Sequence, residues 1–117
     1  MTKFLSQILS FYGGRMNFDI NSLYSIVKSR IRSRNIKSYS YIIYKNSKEI
    51  NKKLIEEAKE LIRTRNKKQV VWEASDLLYF LMLFLVKRGV KIKEILRELE
   101  KRNKIKLIKT ENENLSY

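Results

Sequence analysis

Residues 77–86 read Leu-Leu-Tyr-Phe-Leu-Met-Leu-Phe-Leu-Val, ten positions without a charge. A bilayer-spanning helix needs about 20 predominantly apolar residues, so the run is too short for one. A helix apolar on nearly every side must instead be central and covered from several directions. The rest of the chain therefore has to supply its partners. At 117 residues it is long enough for one domain and not two. A helical domain of this size buries a limited core alone, which makes an oligomer a reasonable expectation.

The flanking segments carry helical periodicity. Asp19 or Asn21 caps a helix reaching about Arg34, with Ile20, Leu23, Ile26, Val27 and Ile31 as its apolar stripe. Residues 35–37 are a connection. Residues 38–44 are aromatic and β-branched, which suits a strand or a short helix. Asn46 or Ser47 caps the next helix, with Glu49 in its first turn and Leu54, Ile55, Ala58, Leu61 and Ile62 on one face; it runs to about Thr64. Residues 65–68 are a polar turn. The central helix then extends from about Gln69 to Arg88, where Lys87, Arg88 and Gly89 give the pattern of a helix end. A last helix uses Ile92, Ile95, Leu96 and Leu99 and fades near Lys104. The expected fold is all-α, a bundle of four to five helices completed by dimerisation. Three regions follow: an N-terminal extension 1–18, a helical domain 19–105 and a mobile polar tail 106–117.

Composition narrows the chemistry. The chain has no cysteine and no histidine, which excludes disulfides, thiolate or imidazole zinc sites, and Cys–His or Ser–His nucleophiles. Any metal site must use oxygen ligands, suited to magnesium or manganese. The N-terminus is not expected to act as a secretory signal: Phe4, Leu5, Ile8 and Leu9 are interrupted by polar residues and no small-residue cleavage site follows. The expectation is a soluble, cytoplasmic protein with no membrane partner. The net charge of +14 admits nucleic-acid binding, steering of polyphosphate substrates, or a bias of composition. The basic residues run throughout the proline-free chain, without the concentration a binding surface needs, and this favours composition bias over nucleic acid.

Against that background the acids stand out. Of twelve, Glu56, Glu57, Glu60, Glu73 and Asp76 fall within 56–76. The first three project within about a 100° arc of one helix. Glu73 and Asp76 are three apart on one face of the next. A short turn makes those helices antiparallel neighbours, so four or five carboxylates can meet across a groove. Such a cluster is costly unless a cation neutralises it. The triplet has a plainer reading as well. Its members lie opposite the apolar stripe of their helix, and Lys53 and Arg63 stand at salt-bridge spacing. Glu73 and Asp76 share a row with Phe80 and Leu83, which buries them at least partly and demands a partner.

The spacing Glu56-Glu57-Ala58-Lys59-Glu60, a twelve-residue gap, then Glu73-Ala74-Ser75-Asp76 resembles the EExxE…ExxD signature of the all-α, MazG-type nucleotide pyrophosphohydrolases. The run from Val71, Trp72 and Glu73 to Tyr79 and Phe80 narrows the resemblance to phosphoribosyl-ATP pyrophosphohydrolase, in the form found in fungal multifunctional histidine-biosynthesis enzymes. Arg88-Gly89-Val90 and the segment from Ile95 to Glu100 fit it too. Upstream, Leu23, Ile26, Val27 and Arg30 match a family helix, Ser38-Tyr39-Ser40 stands where the family has Ser-Tyr-Thr, and Lys53 matches a lysine before the paired glutamates. The family usually has proline and glycine where this chain has Asn35-Ile36-Lys37. Phe11-Tyr12-Gly13-Gly14 is similar to a junction that follows a cyclohydrolase domain in fused enzymes.

The resemblance implies hydrolysis of the α–β phosphoanhydride of phosphoribosyl-ATP to phosphoribosyl-AMP and pyrophosphate, the second step of histidine biosynthesis. It implies Glu57, Glu60, Glu73 and Asp76 as ligands of Mg2+ (or Mn2+), with Glu56 binding a second metal or orienting the attacking water. Arg30 and Lys53 contact phosphates, and Ser38, Tyr39 and Ser40 line the pocket. Tyr39 has a core alternative, and Arg30 and Lys53 a surface one. Trp72, Phe80 and the 81–86 run read as core and dimer interface. The implied partners are phosphoribosyl-ATP, a second copy of the chain and a functional link to a separate phosphoribosyl-AMP cyclohydrolase, whose zinc ligands this chain lacks. Two other functions fit less of the pattern: a housecleaning nucleoside-triphosphate pyrophosphohydrolase on the same scaffold, and a non-catalytic nucleic-acid-binding helical protein.

Overall fold

The computed structural model describes the backbone of residues 17–115 and the side chains of residues 17–105. Among these residues there are five helices and no strand: α1 (Ile20–Arg32), α2 (Tyr39–Tyr44), α3 (Ser47–Ile62), α4 (Lys67–Lys87) and α5 (Ile92–Leu115). Apart from Asn17 and Phe18, the N-terminal extension expected over 1–18 lies outside the described residues.

Local chemistry fixes where the helices start. Asp19 accepts from the Ser22 amide at 2.9 Å while the Ser22 hydroxyl accepts from the Asp19 amide at 3.3 Å, a reciprocal capping box. The Asn46 side chain accepts from the Glu49 amide and begins α3. Asn66 accepts from the Gln69 amide, and the Gln69 side chain accepts in return from the Arg65 amide, so α4 begins at Lys67 and not beyond the polar turn. Each cap satisfies an amide that has no partner inside the helix. The end of α4 is set by Gly89, at φ +70. Its amide donates to the Val86 carbonyl and that of Val90 to Leu85, the paired bonds of a Schellman stop. Residues 38–44, open to strand or helix on propensity, form the short helix α2.

The turn between α3 and α4 folds the two against each other over the most extensive helix–helix interface among the described residues, and α1 also packs against α4. Val27, Ile50, Phe80, Met82 and Leu83 have no exposed surface, and three of them belong to α4. By length and composition alone α4 could cross a bilayer. Its place is the centre of the bundle, where it also carries the buried carboxylate of Asp76.

Four expectations need correction. The inward row of α3 is Ile50, Leu54, Glu57 and Leu61, while Ile55 and Ile62 point outward, 57% and 82% exposed. Averaging over all apolar residues had rotated the stripe, because it counted two isoleucines that never enter the core. The glutamate triplet is accordingly not one solvated face: Glu57 is buried. Trp72, read as core and dimer interface, is 49% exposed and so is not core of this chain, whereas Phe80 is fully buried. Finally, α5 continues past Lys104 to Leu115. No glycine or proline interrupts it, and the Glu98–Arg102 and Glu100–Lys104 pairs, at 3.0 and 2.9 Å, brace it. Of its expected stripe only Ile92 is buried; Ile95, Leu96 and Leu99 are exposed.

Candidate active site

Glu57 and Glu60 lie near the end of α3, and Glu73 and Asp76 lie in the second and third turns of α4. The intervening turn brings these helix portions together. One carboxylate oxygen from each of Glu57, Glu60 and Glu73 lies within 4.8 Å of the others. Glu60 is exposed at the rim, Glu73 is half-buried and Glu57 is buried. Asp76 stands outside that trio, almost fully buried; burial raises its proton affinity, and the Glu60 charge adds to the rise.

The electrostatics agree with the crowding. Burial pushes the Glu57 carboxyl up to about 7, aided by its contact with Glu60 and then by the charges of Glu60, Asp76 and Glu73. Burial first, and Glu60 second, also raise Glu73. Three carboxylate oxygens here are buried without a hydrogen-bond donor: Glu57 Oε2, Glu73 Oε2 and Asp76 Oδ1. A buried acceptor left without a donor costs about 1–3 kcal/mol, more when charged. A hard divalent cation satisfies several such oxygens at once and removes their mutual repulsion. The donor set, all carboxylate oxygen, fits magnesium or manganese.

The other sequence-derived residues divide into three groups. Glu56 is not in the trio; it pairs with Lys53 at 3.3 Å and Lys52 at 3.9 Å along α3. Tyr39 begins α2 and lies edge-on to Phe80, with ring centroids 6.3 Å apart. Its phenol is held well above its ordinary range by burial, then by Tyr79 and the acids Glu49, Glu57 and Glu56, so it borders the acidic groove. Ser38 caps α2 without a side-chain bond. Ser40 does not open onto the groove: it is buried and its hydroxyl is hydrogen-bonded to that of Tyr79. Arg30, half-buried on α1, acts electrostatically on the same Tyr79 hydroxyl.

Sequence reasoning passed over Tyr79 because it sits inside the apolar run. The available signal was its hydroxyl, since a buried tyrosine usually needs a hydrogen-bond partner. Burial raises its phenol to about 12 despite the Ser40 bond and the Arg30 charge, so it remains a neutral hydroxyl tying α4 to α2.

The fold and the groove define a class: an all-helical protein that gathers carboxylates from two adjacent helices into one acidic groove. Residues 20–103 match the family model described as phosphoribosyl-ATP pyrophosphohydrolase, and the chain belongs to that family. It is 33% identical over 82 residues to the histidine biosynthesis trifunctional protein of Saccharomyces cerevisiae, covering 70% of this chain and 10% of that protein. It is 36% identical over 86 residues to the histidine biosynthesis bifunctional protein HisIE of Thermotoga maritima, covering 70% and 44%. The phosphoribosyl-ATP pyrophosphatase of Pyrobaculum calidifontis is 33% identical over 89 residues, covering 73% and 95%. The chain thus spans a small part of the fungal relatives and under half of the bifunctional ones. No solved structure matches it.

Proposed function

We propose that this chain hydrolyses the α–β phosphoanhydride of phosphoribosyl-ATP, releasing pyrophosphate and phosphoribosyl-AMP, in histidine biosynthesis. The observation that carries the reading is the set of donor-less buried oxygens on Glu57, Glu73 and Asp76, lying where the family match falls. Glu57, Glu60 and Glu73 would hold Mg2+ or Mn2+, with Asp76 completing the acidic floor. When bound, the cation supplies charge neutralisation at the phosphoryl oxygens and acidity to water. Arg30 and Lys53 bind phosphate oxygens, and Glu56, engaged by Lys53, orients that lysine. Tyr39 bounds the pocket and helps exclude bulk water. Ser38 offers a hydroxyl at its rim, while Ser40 holds α2 in place through Tyr79.

The reading includes a homodimer. Val70, Val71, Trp72, Leu78 and Leu81 are exposed apolar residues on α4, and Ile95, Leu96 and Leu99 are exposed on α5. Scattered exposed apolar residues are ordinary, but a run of them on the central helix suits a partner copy. A cytoplasmic location and consumption of the product by a separate cyclohydrolase complete the proposal.

The test is pyrophosphate release from phosphoribosyl-ATP, ATP and dCTP in parallel, with magnesium. The expected result is turnover of phosphoribosyl-ATP alone. Equal turnover of the simple triphosphates would place the chain among general nucleoside-triphosphate pyrophosphohydrolases, and no turnover of any would overturn the enzymatic reading.

A further inference from the structure

The acidic groove leaves a second polar concavity unexplained. A cavity of about 320 Å3 lies between α1 and the start of α5, lined by Asn21, Tyr24, Ser25, Lys28, Lys91, Ile92 and Lys93. It is remote from the carboxylates, since α4 carries the chain about 20 Å from Glu73 to Lys87, at 1.5 Å per residue. One wall is fixed, because the Tyr24 hydroxyl donates to the Val90 carbonyl at 2.9 Å.

Three features make the lining selective. Lys28, Lys91 and Lys93 all line this one cavity, and none forms an ion pair among the described residues. Among the described residues no acid lines the cavity. Of the acids in the flanking helix starts, Glu94 accepts from the Lys91 amide at 2.8 Å and caps α5, and Asp19 accepts from the Ser22 amide and caps α1. Beside the lysines, Asn21 Oδ1 is buried with no donor. The two polarities ask for different things: the ammonium groups for a compact multiply charged anion, the amide oxygen for a hydroxyl or amino donor. A bare phosphate satisfies the first and leaves most of the space unfilled. The volume is at the lower end of the range of small-molecule sites.

From this we infer a second binding site, for a mononucleotide-sized phosphate monoester, whose phosphate is held by Lys28, Lys91 and Lys93 and whose hydroxyl or amino group donates to Asn21. Ser25 lies on the same wall of α1, one turn from Asn21, and adds a neutral hydroxyl. The site accounts for part of the +14 charge without calling on the acidic groove. Because the ligand's charge meets lysines at a partly open surface, binding weakens steeply with added salt.

The experiment titrates AMP into the full chain in chelator, which silences the carboxylate site, and follows backbone amide shifts by NMR. The expected result is saturable shifts at residues 21–28 and 90–94, at least tenfold weaker binding in the triple variant K28A/K91A/K93A, and undiminished binding in Glu73→Gln. Inorganic phosphate is expected to bind at least fivefold more weakly than AMP, and Asn21→Ala to narrow that gap. Shifts confined to the acidic groove, a triple variant that binds as the parent does, or equal affinity for phosphate and AMP would each overturn the inference. Helical circular dichroism of each variant confirms that a lost shift is not a lost fold.

Discussion

Asp76 and Glu57 show how much of the site rests on single atoms. Asp76 is 3% exposed, with one oxygen lacking a donor, three residues along the helix from a half-buried glutamate. Asp76→Asn is expected to abolish pyrophosphate release while leaving helical circular dichroism intact; retained turnover would remove Asp76 from the site. Glu57 links the site to stability. Its folded-state carboxyl titrates near 7 against an ordinary 4.5. Below about 4.5 it is protonated folded or unfolded, and as pH rises towards 7 the unfolded chain ionises first, so stability is lost across that window. The metal-free Glu57→Gln variant should therefore match the parent near pH 4 and exceed it at pH 8. The gain should be on the order of 1 kcal/mol, discounted for water in the open groove. Thermal melts in chelator at the two pH values check this, and a variant less stable at pH 8 would contradict it. At this scale the sequence was readable where charge was rare: five acids in a basic chain marked the groove. It was not readable for Tyr79, whose hydroxyl is one polar atom within an apolar run, nor for Ser40, whose burial depends on that same hydroxyl across the bundle.

At the scale of elements, starts and stops were legible because they are local. Asp19, Asn46 and Gly89 act within four residues of themselves, and each stands at the boundary its chemistry dictates. Asn46→Ala should cost about 1 kcal/mol, seen as a lower melting temperature, because the Glu49 amide loses its acceptor. An unchanged melting temperature would mean that α3 is positioned by packing alone. The facing of α3 was less legible. Its inward row includes an acid and omits two isoleucines, an arrangement that makes sense only once Glu73 and Asp76 are opposite. Hydrophobic periodicity cannot anticipate an acid buried for its partners. The length of α5 was also missed: its sequence beyond Lys104 is largely polar, and polarity by itself does not distinguish a helix from a mobile tail.

For the whole molecule, the all-α architecture followed from one long apolar helix that needed covering, and the bundle packs α1 and α3 against it. The cover is incomplete. Val71, Trp72 and Leu78 on α4 and Leu99 on α5 remain open, which a single chain's sequence cannot distinguish from core. Light scattering at micromolar concentration should give the mass of two chains, twice 14.1 kDa. Trp72→Glu should shift that mass towards one chain, since it places a charge on the proposed interface. A monomeric parent would contradict the dimer.

The most direct measurement is a magnesium titration of pyrophosphate release from phosphoribosyl-ATP, run for the parent chain and for Glu73→Gln. The account predicts no release in chelator, a saturable rise with magnesium for the parent, and a rate at least about 100-fold lower in the variant, in line with losses of a single catalytic electrostatic group. A rate indifferent to chelator, or a variant that turns over as the parent does, would contradict it.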